Sequence, residues 1–268
     1  MKQRLDVRMV DEGRVTTRNR AQALIMAGKV EVNGRVVTKS GHMVGPDDVL
    51  NVSEPLPYVS RGGYKLAHAL KSFHILPQGW QVIDVGASTG GFTDCWLQNG
   101  AAQVFAVDVG YGQLDWKLRR DPRVVVMERT NARYLTEQSL GAEAALDGAS
   151  VDASFIGLKL LLAPLKPLLA PHASVVALVK PQFEAGPDNL GKSGVVRRPE
   201  VHERVLERVT AEAETMGYRV RGLVPSPIRG PEGNIEFLLH LGMGSLLPVP
   251  IDIASIVQQA WQMGDVDG

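Results

Sequence analysis

The stretch Gln81 to Thr93, QVIDVGASTGGFT, constrains this chain more than any other. Val82, Ile83 and Val85 form a short apolar run suited to a buried strand. Asp84 stands at its end, and Gly86, Gly90 and Gly91 follow. A helical pattern opens at Thr93-Asp94 and stops near Gly100. Strand, glycine-rich turn and helix is how an open α/β sheet makes a ligand site at its carboxyl edge. Glycine is needed there because a Cβ would hold a small molecule off the backbone.

The spacing narrows the ligand. The turn reads G-x-x-x-G-G, not the dinucleotide G-x-G-x-x-G, and Phe92 stands where an ATP loop needs lysine. Asp84 would repel pyrophosphate but suits a cationic amino group. Asp108 closes the next apolar run, VFAVDV, where an acid grips ribose hydroxyls in α/β cofactor domains. Acid, glycine turn, helix, strand and acid form the pattern expected for S-adenosylmethionine. The competing reading is an ordinary βα turn with a capping aspartate. GPDNLGKS, residues 186–193, spells an ATP loop letter for letter. That loop works only if Lys-Ser begins a helix, and Gly194-Val195-Val196 and Pro199 follow instead. A loop over the site is expected there.

The 268 residues are 44% apolar and 22% charged, as in an ordinary soluble protein. The single cysteine, Cys95, gives no disulfide framework and fits a reducing cytoplasm. The N-terminus carries charges where a signal peptide has an apolar core. The most apolar region, Ile156 to Leu169, is broken by Lys159, Pro164, Lys166 and Pro167 and is not expected to span a bilayer. Net charge is zero but uneven. Residues 1–45 hold nine basic residues and four acids, leaving the other 223 at −5. Such asymmetry points to a nucleic-acid-binding end.

That end, residues 1–52, reads as a small α+β domain. Short helices are expected over 4–13 and from Arg18 to Ala27, the second capped by Thr16 or Thr17. VEVNGRVV makes strand fragments around an Asn33-Gly34 turn, and VLNV adds another. The arrangement resembles the S-four RNA-binding domain, which would set Arg4, Arg8, Arg18 and Arg20 against RNA phosphates. A small basic domain for docking protein is the competing reading. Residues 53–60, with Pro55 and Pro57, form a stiff linker. Residues 61–268 make the second domain, and Arg61 joins the RNA-contact candidates.

Beyond the glycine turn, strands and helices alternate. VFAVDV, RVVVMER, VDASF (ending near Asp152), SVVALVK (ending at Lys180), YRVRGLVPSPI and NIEFLLHL, with Glu236 inside it, complete seven strands. The pattern predicts a Rossmann-like α/β fold with a seven-stranded mixed sheet. Pro225 and Pro227 confine their strand to an edge or bend. Asn131-Ala132 follows the third strand, where an adenine-facing loop belongs. A helix is expected from Glu200 to Met216. A last helix with Ile253, Ile256, Val257, Ala260 and Trp261 on one face should dock on the body.

Lys65, Asp152, Lys180 and Glu236 stand at ends or edges of core elements. A carboxylate in an apolar strand needs a partner. If the four converge, they suit methylation of a ribose 2′-hydroxyl, which needs no metal because the sulfonium is already electrophilic. A lysine beside another lysine has its pKa lowered, so Lys180 could take the proton or steady the alkoxide. Asp152 and Glu236 would orient the lysines and the hydroxyl. A nucleobase methylase would more typically carry an Asn-Pro-Pro-aromatic loop or a catalytic cysteine. Cys95 lies in the helix after the glycine turn, as a core residue would.

SRGGYKL, DVGASTGGFTD, VDASFIGLKL, LVKPQFEAG, GVVRRPEVH and SPIRGPEGNIEFL together resemble the TlyA (hemolysin A) family of ribosomal RNA 2′-O-methyltransferases, within the FtsJ-like group. With the N-terminal module, the resemblance spans almost the whole chain. It implies S-adenosylmethionine contacts at Asp84, Gly86, Ala87, Ser88, Gly90, Gly91, Phe92, Asp108, Asn131 and Ala132. It also implies a Lys-Asp-Lys-Glu tetrad on Lys65, Asp152, Lys180 and Glu236, and a cytidine ribose as substrate. Gly157 stands where the family usually has serine and Ala153 where valine is usual, which should loosen the loop after Asp152. Ribosomal RNA and ribosomal subunits are the implied partners. A non-catalytic RNA-binding assembly factor is the second reading. A membrane-lytic toxin, suggested by the family's older name, is the third, against which the broken apolar segments argue.

Overall fold

In a computed structural model, the chain forms two compact units, residues 1–57 and 58–268. Residues 2–15, 17–26, 28–52, 57–141, 145–191, 193–244 and 249–263 are described, with Arg20, Ala23 and Pro231 described by backbone alone.

In the first unit, β1 (Gln3–Arg4) leads into α1 (Leu5–Asp11), and α2 (Arg18–Met26) follows. Thr17 directly precedes α2, whereas Thr16 and Ala27 lie outside the described residues. The Asn33-Gly34 turn joins β2 (Val30–Val32) to β3 (Arg35–Val36), both turn residues having positive φ, as a two-residue hairpin requires. β4 (Met43–Val44) pairs with β1, and β5 (Leu50–Val52) pairs with β2. Leu5, Met9, Ala21, Leu24, Ile25, Val30 and Leu50 make the core.

The second unit opens with α3 (Gly62–Ser72). Then come β6 (Gln81–Val85), α4 (Gly91–Gln98), β7 (Gln103–Val107), α5 (Trp116–Arg119), β8 (Val124–Met127), α6 (Glu137–Leu140) and β9 (Leu146–Val151). α7 (Lys159–Leu165), β10 (Leu169–Val179), α8 (Pro181–Glu184), α9 (Pro199–Thr215), β11 (Arg219–Pro225), β12 (Phe237–Gly242) and α10 (Ile253–Gln262) complete it. One sheet of seven strands runs in the order β11-β12-β10-β9-β6-β7-β8. β12 alone is antiparallel to its neighbours. β6 shows why the sheet has helices on both faces. Ile83 and Val85 join one core with α7, α9 and α10, while Val82 joins the other with α3, α4 and α5.

β11, which ends at Pro225, is an edge strand, as that proline requires, and Pro227 lies beyond it. The fourth strand sits upstream of its expected place. LDGASV pairs with β6 and β10, and only Val151 of VDASF belongs to it. Glu236 stands just before β12, not within it, because the preceding chain folds into a turn closed by Gly230 N donating to Asn234 O. Among the described residues no α-helix begins in the GPDNLGKS segment. Pro187–Asn189 is a single 3-10 turn and α9 starts only at Pro199. No helix among the described residues is long and apolar enough to cross a membrane.

His240 sits on β12, stacked 5.1 Å from Phe73 and within 3.3 Å of the Ser174 hydroxyl. Burial, with Arg221 nearby, pushes its pKa from 6.5 down to about 4. The native state therefore refuses a proton that the unfolded chain accepts below pH 6.5. Its stabilising effect is complete above that pH and is lost as pH falls through about 4, worth up to about 3 kcal/mol. Replacing His240 by Leu should flatten the fall in urea midpoint between pH 6.5 and pH 4. An unchanged slope would assign that fall to another group.

Candidate functional site

The turn after β6 is shaped by contacts to its neighbours. Gly86 has φ +84°, and a Cβ there would lie 2.3 Å from the Asp152 carbonyl oxygen. Only glycine lets the β6 and β9 ends approach so closely. Beside this turn, at the carboxyl edge of β6, β7, β8 and β9, lies a cleft of about 500 Å³. Gly86, Ser88, Asp108, Asn131, Ala132 and Asp152 line it, along with Gln113, Thr130, Arg133 and Phe155.

Asp108 is pinned within the cleft. One oxygen accepts from Ser88 N at 2.8 Å and the other from Gly110 N at 2.7 Å. Each oxygen keeps a lone pair free to accept from a hydroxyl in the cleft. Asn131 precedes a 3-10 turn, Ala132–Tyr134, and its side-chain oxygen accepts from Arg133 N at 3.1 Å.

Five expected contacts do not line the cleft. Asp84 is fully buried and faces inward, accepting from the Thr93 hydroxyl at 2.7 Å and the Ser150 hydroxyl at 2.8 Å. Trp96 Nε1 donates to Ser150 in turn, at 2.8 Å. Burial pushes the Asp84 pKa up to about 6. This carboxylate braces the turn from beneath. Ala87 and Phe92 are buried. Gly90 and Gly91 serve packing: a Cβ on Gly90 would strike Leu118, and one on Gly91 would strike Ser60 and the Gly63 amide. They let α4 press against α5 and the start of α3.

The four charged residues form two ion pairs. Lys65, 8% exposed on α3, meets Glu236, 1% exposed, with Nζ 2.5 Å from Oε2. Lys180 Nζ lies 2.5 Å from Asp152 Oδ1 and donates to the Ser154 hydroxyl at 3.1 Å. Val179 of β10 is in register with Phe237 of β12. Lys180 follows the one and Glu236 precedes the other, so the pairs stand at neighbouring strand ends, roughly a strand spacing apart. Each lysine faces a carboxylate.

Sequence reasoning missed several supports. Gln182, 8% exposed, donates to the second Glu236 oxygen at 3.4 Å; its signal was a polar residue two after Lys180. Glu184 accepts from Leu158 N at 2.8 Å and pairs with Arg208 at 3.1 Å. Phe155 rests on Phe183, ring centres 4.7 Å apart. These contacts and the Lys180 bonds fasten the 152–158 loop to α8. Gly157 faces the Glu184 carboxylate, which a Cβ there would approach to 3.7 Å.

The arginines of the first unit are largely engaged within it. Asp6, fully buried, accepts from Arg4, Arg18 and Gln22, and these hydrogen bonds hold its pKa well below the carboxylate range. Arg8 pairs with Glu12 at 2.5 Å and donates to the carbonyls of Gly45, Pro46 and Asp48. Its side chain is 13% exposed, so Arg8, expected on an RNA face, is spent inside the module. Arg4 and Arg18 stay about half exposed, and Arg61 is exposed. The Arg20 side chain lies outside the described residues.

A Rossmann-like sheet with a seventh antiparallel strand and this cleft defines an S-adenosylmethionine-dependent methyltransferase fold. The chain belongs to the FtsJ-like methyltransferase family, whose model matches residues 58–243, and the S4 domain model matches residues 3–50. It is 53% identical to YqxC of Bacillus subtilis, over 90% of this chain and 85% of that one. It is 44% identical to the 16S/23S rRNA (cytidine-2′-O)-methyltransferase TlyA of Mycobacterium tuberculosis, over 89% of each. A solved structure from Streptococcus thermophilus, described as a hemolysin, matches at 47% identity with TM-score 0.76, covering 98% of this chain and 96% of that one.

The turn geometry has a direct test. Gly86→Ala would impose strain at positive φ together with a backbone clash, costing about 1–3 kcal/mol. Urea unfolding should show that loss, and calorimetry should show S-adenosylmethionine binding weakened at least tenfold. Wild-type affinity in that variant would remove the turn from the cofactor site.

Proposed function

We propose that this protein transfers a methyl group from S-adenosylmethionine to the 2′-hydroxyl of a cytidine in ribosomal RNA. The observation that carries this is the pairing of Lys180 with Asp152, which lines the cleft, with Lys65–Glu236 at the next strand end. The M. tuberculosis relative is named for this reaction.

S-adenosylmethionine, when bound, supplies an electrophilic methyl on sulfur. Asp108 and Asn131 would hold its ribose and adenine side, and Gly86 and Ser88 would lie along the turn. The protein's further work falls on the alcohol. Lys180 Nζ would meet the 2′-oxygen, steady the charge that builds there and pass the proton toward Asp152, 2.5 Å away. Lys65, held by Glu236, would fix the hydroxyl on the other side. The O–C bond forms as the S–C bond breaks, so positioning in line supplies much of the rate.

Residues 1–52 would bring the RNA through the exposed flanks of Arg4 and Arg18, with Arg20 and Arg61 as further contacts. Residues 53–60 would act as the linker and 61–268 as the catalytic domain. Ribosomal subunits are the partners that carry this RNA, and the cytoplasm is where they are met.

Lys180→Ala should cut transfer of labelled methyl to ribosomal RNA by at least about a hundredfold. Cofactor affinity should change by less than about threefold. Transfer at the wild-type rate would take Lys180 out of the reaction.

A further inference from the structure

The loops after β7 and β8 carry groups that the reaction above does not use. Tyr111, Trp116 and Tyr134 are 68%, 67% and 74% exposed. Each ring is covered by a guanidinium. Arg129 lies 4.1 Å from the centre of the Tyr111 ring, Arg120 4.9 Å from Trp116 and Arg133 5.5 Å from Tyr134. All three arginines are exposed. Among the described residues none of them pairs with a carboxylate, whereas nearby Arg119 and Arg123 pair with Glu128 and Asp121.

The charge is local. Residues 109–134 hold six basic residues and three acids, although residues 58–268 as a whole hold 20 basic residues and 22 acids. The two loops are tied together by Arg129 N donating to Gly110 O and Thr130 N to Asp108 O, both at 2.9 Å. Val109, Gln113 and Arg133 of these loops also line the cleft. Tyr111–Arg129 and Tyr134–Arg133 therefore stand on the rim of the cleft, and Trp116–Arg120 lies at the two ends of α5, which follows the first of these loops.

We propose that this rim is a second RNA-contact surface, on the catalytic unit, that takes unpaired bases beside the target nucleotide. The inference rests on the RNA reading above and specifies where that RNA lies. A guanidinium over a ring keeps its N–H edge free for phosphate while its plane remains a stacking surface. Unpaired RNA bases stack on aromatic rings and arginine planes. An acidic protein partner would be served by the charge alone and gives no use for three exposed rings.

The test uses the full chain, purified ribosomal RNA and a salt series. In the Arg120→Ala, Arg129→Ala double variant, the slope of log affinity against log salt should fall by about two. Trp116→Leu and Tyr111→Leu should each weaken binding at least about fivefold with the slope unchanged. S-adenosylmethionine affinity should stay within about twofold throughout. Wild-type RNA affinity and slope in all variants would overturn the proposal. So would an effect of the arginines without any effect of the rings, which would mark a plain charge contact. A parallel loss of cofactor affinity would instead assign the rim to the cofactor. RNA binding by wild-type protein without methyl transfer would defeat the proposed reaction while leaving this surface standing.

Discussion

The buried pairing of Lys65 with Glu236 sets the geometry at the carboxyl edge of this sheet. The two residues are 171 positions apart and almost without solvent. A buried charge left alone costs several kcal/mol, so neither partner is tolerable without the other. That condition fixes α3 over the start of β12. The glycines where α3 meets α4 make the approach possible, since a Cβ on Gly91 would collide with Ser60 and the Gly63 amide. Gln182 then closes the second side of the Glu236 carboxylate.

Asp152 joins the two halves of the site. It lines the cleft and also grips Lys180, so the cleft and the paired charges share one residue. Its position follows from the sheet. Asp152 is the first residue past β9, and its amide donates to Val85 O of β6 at 2.9 Å. The same approach of strands forbids any side chain at Gly86. The glycine turn and the loop after β9 are thus one construction. Glu184, Phe183 and Ser154 hold the outer part of that loop against α8.

Much of this was legible in the chain. The apolar runs ending in Asp108 and Lys180 marked the ends of β7 and β10, and the Asn33-Gly34 turn marked a hairpin. The four charged residues stood out because carboxylates in apolar surroundings demand partners. Other features depended on donors far away in sequence. Asp84 looked like a cofactor contact because Thr93 and Ser150, which turn it inward, read as ordinary polar residues. Arg8 looked like an RNA contact because the carbonyls that absorb it belong to backbone between residues 45 and 48. The fourth strand shifted because small residues such as Gly148 and Ala149 carry little periodic signal. Which lysine meets which carboxylate could not be read at all, since it is set by strand register.

The most direct measurement is the chemical position of the transferred methyl. Ribosomal RNA incubated with the protein and labelled S-adenosylmethionine can be digested to nucleosides and resolved by mass spectrometry. Label is expected in 2′-O-methylcytidine, with the mass of the unmodified base. Label on a base, or RNA left unlabelled by protein that binds the cofactor, would contradict the proposed reaction.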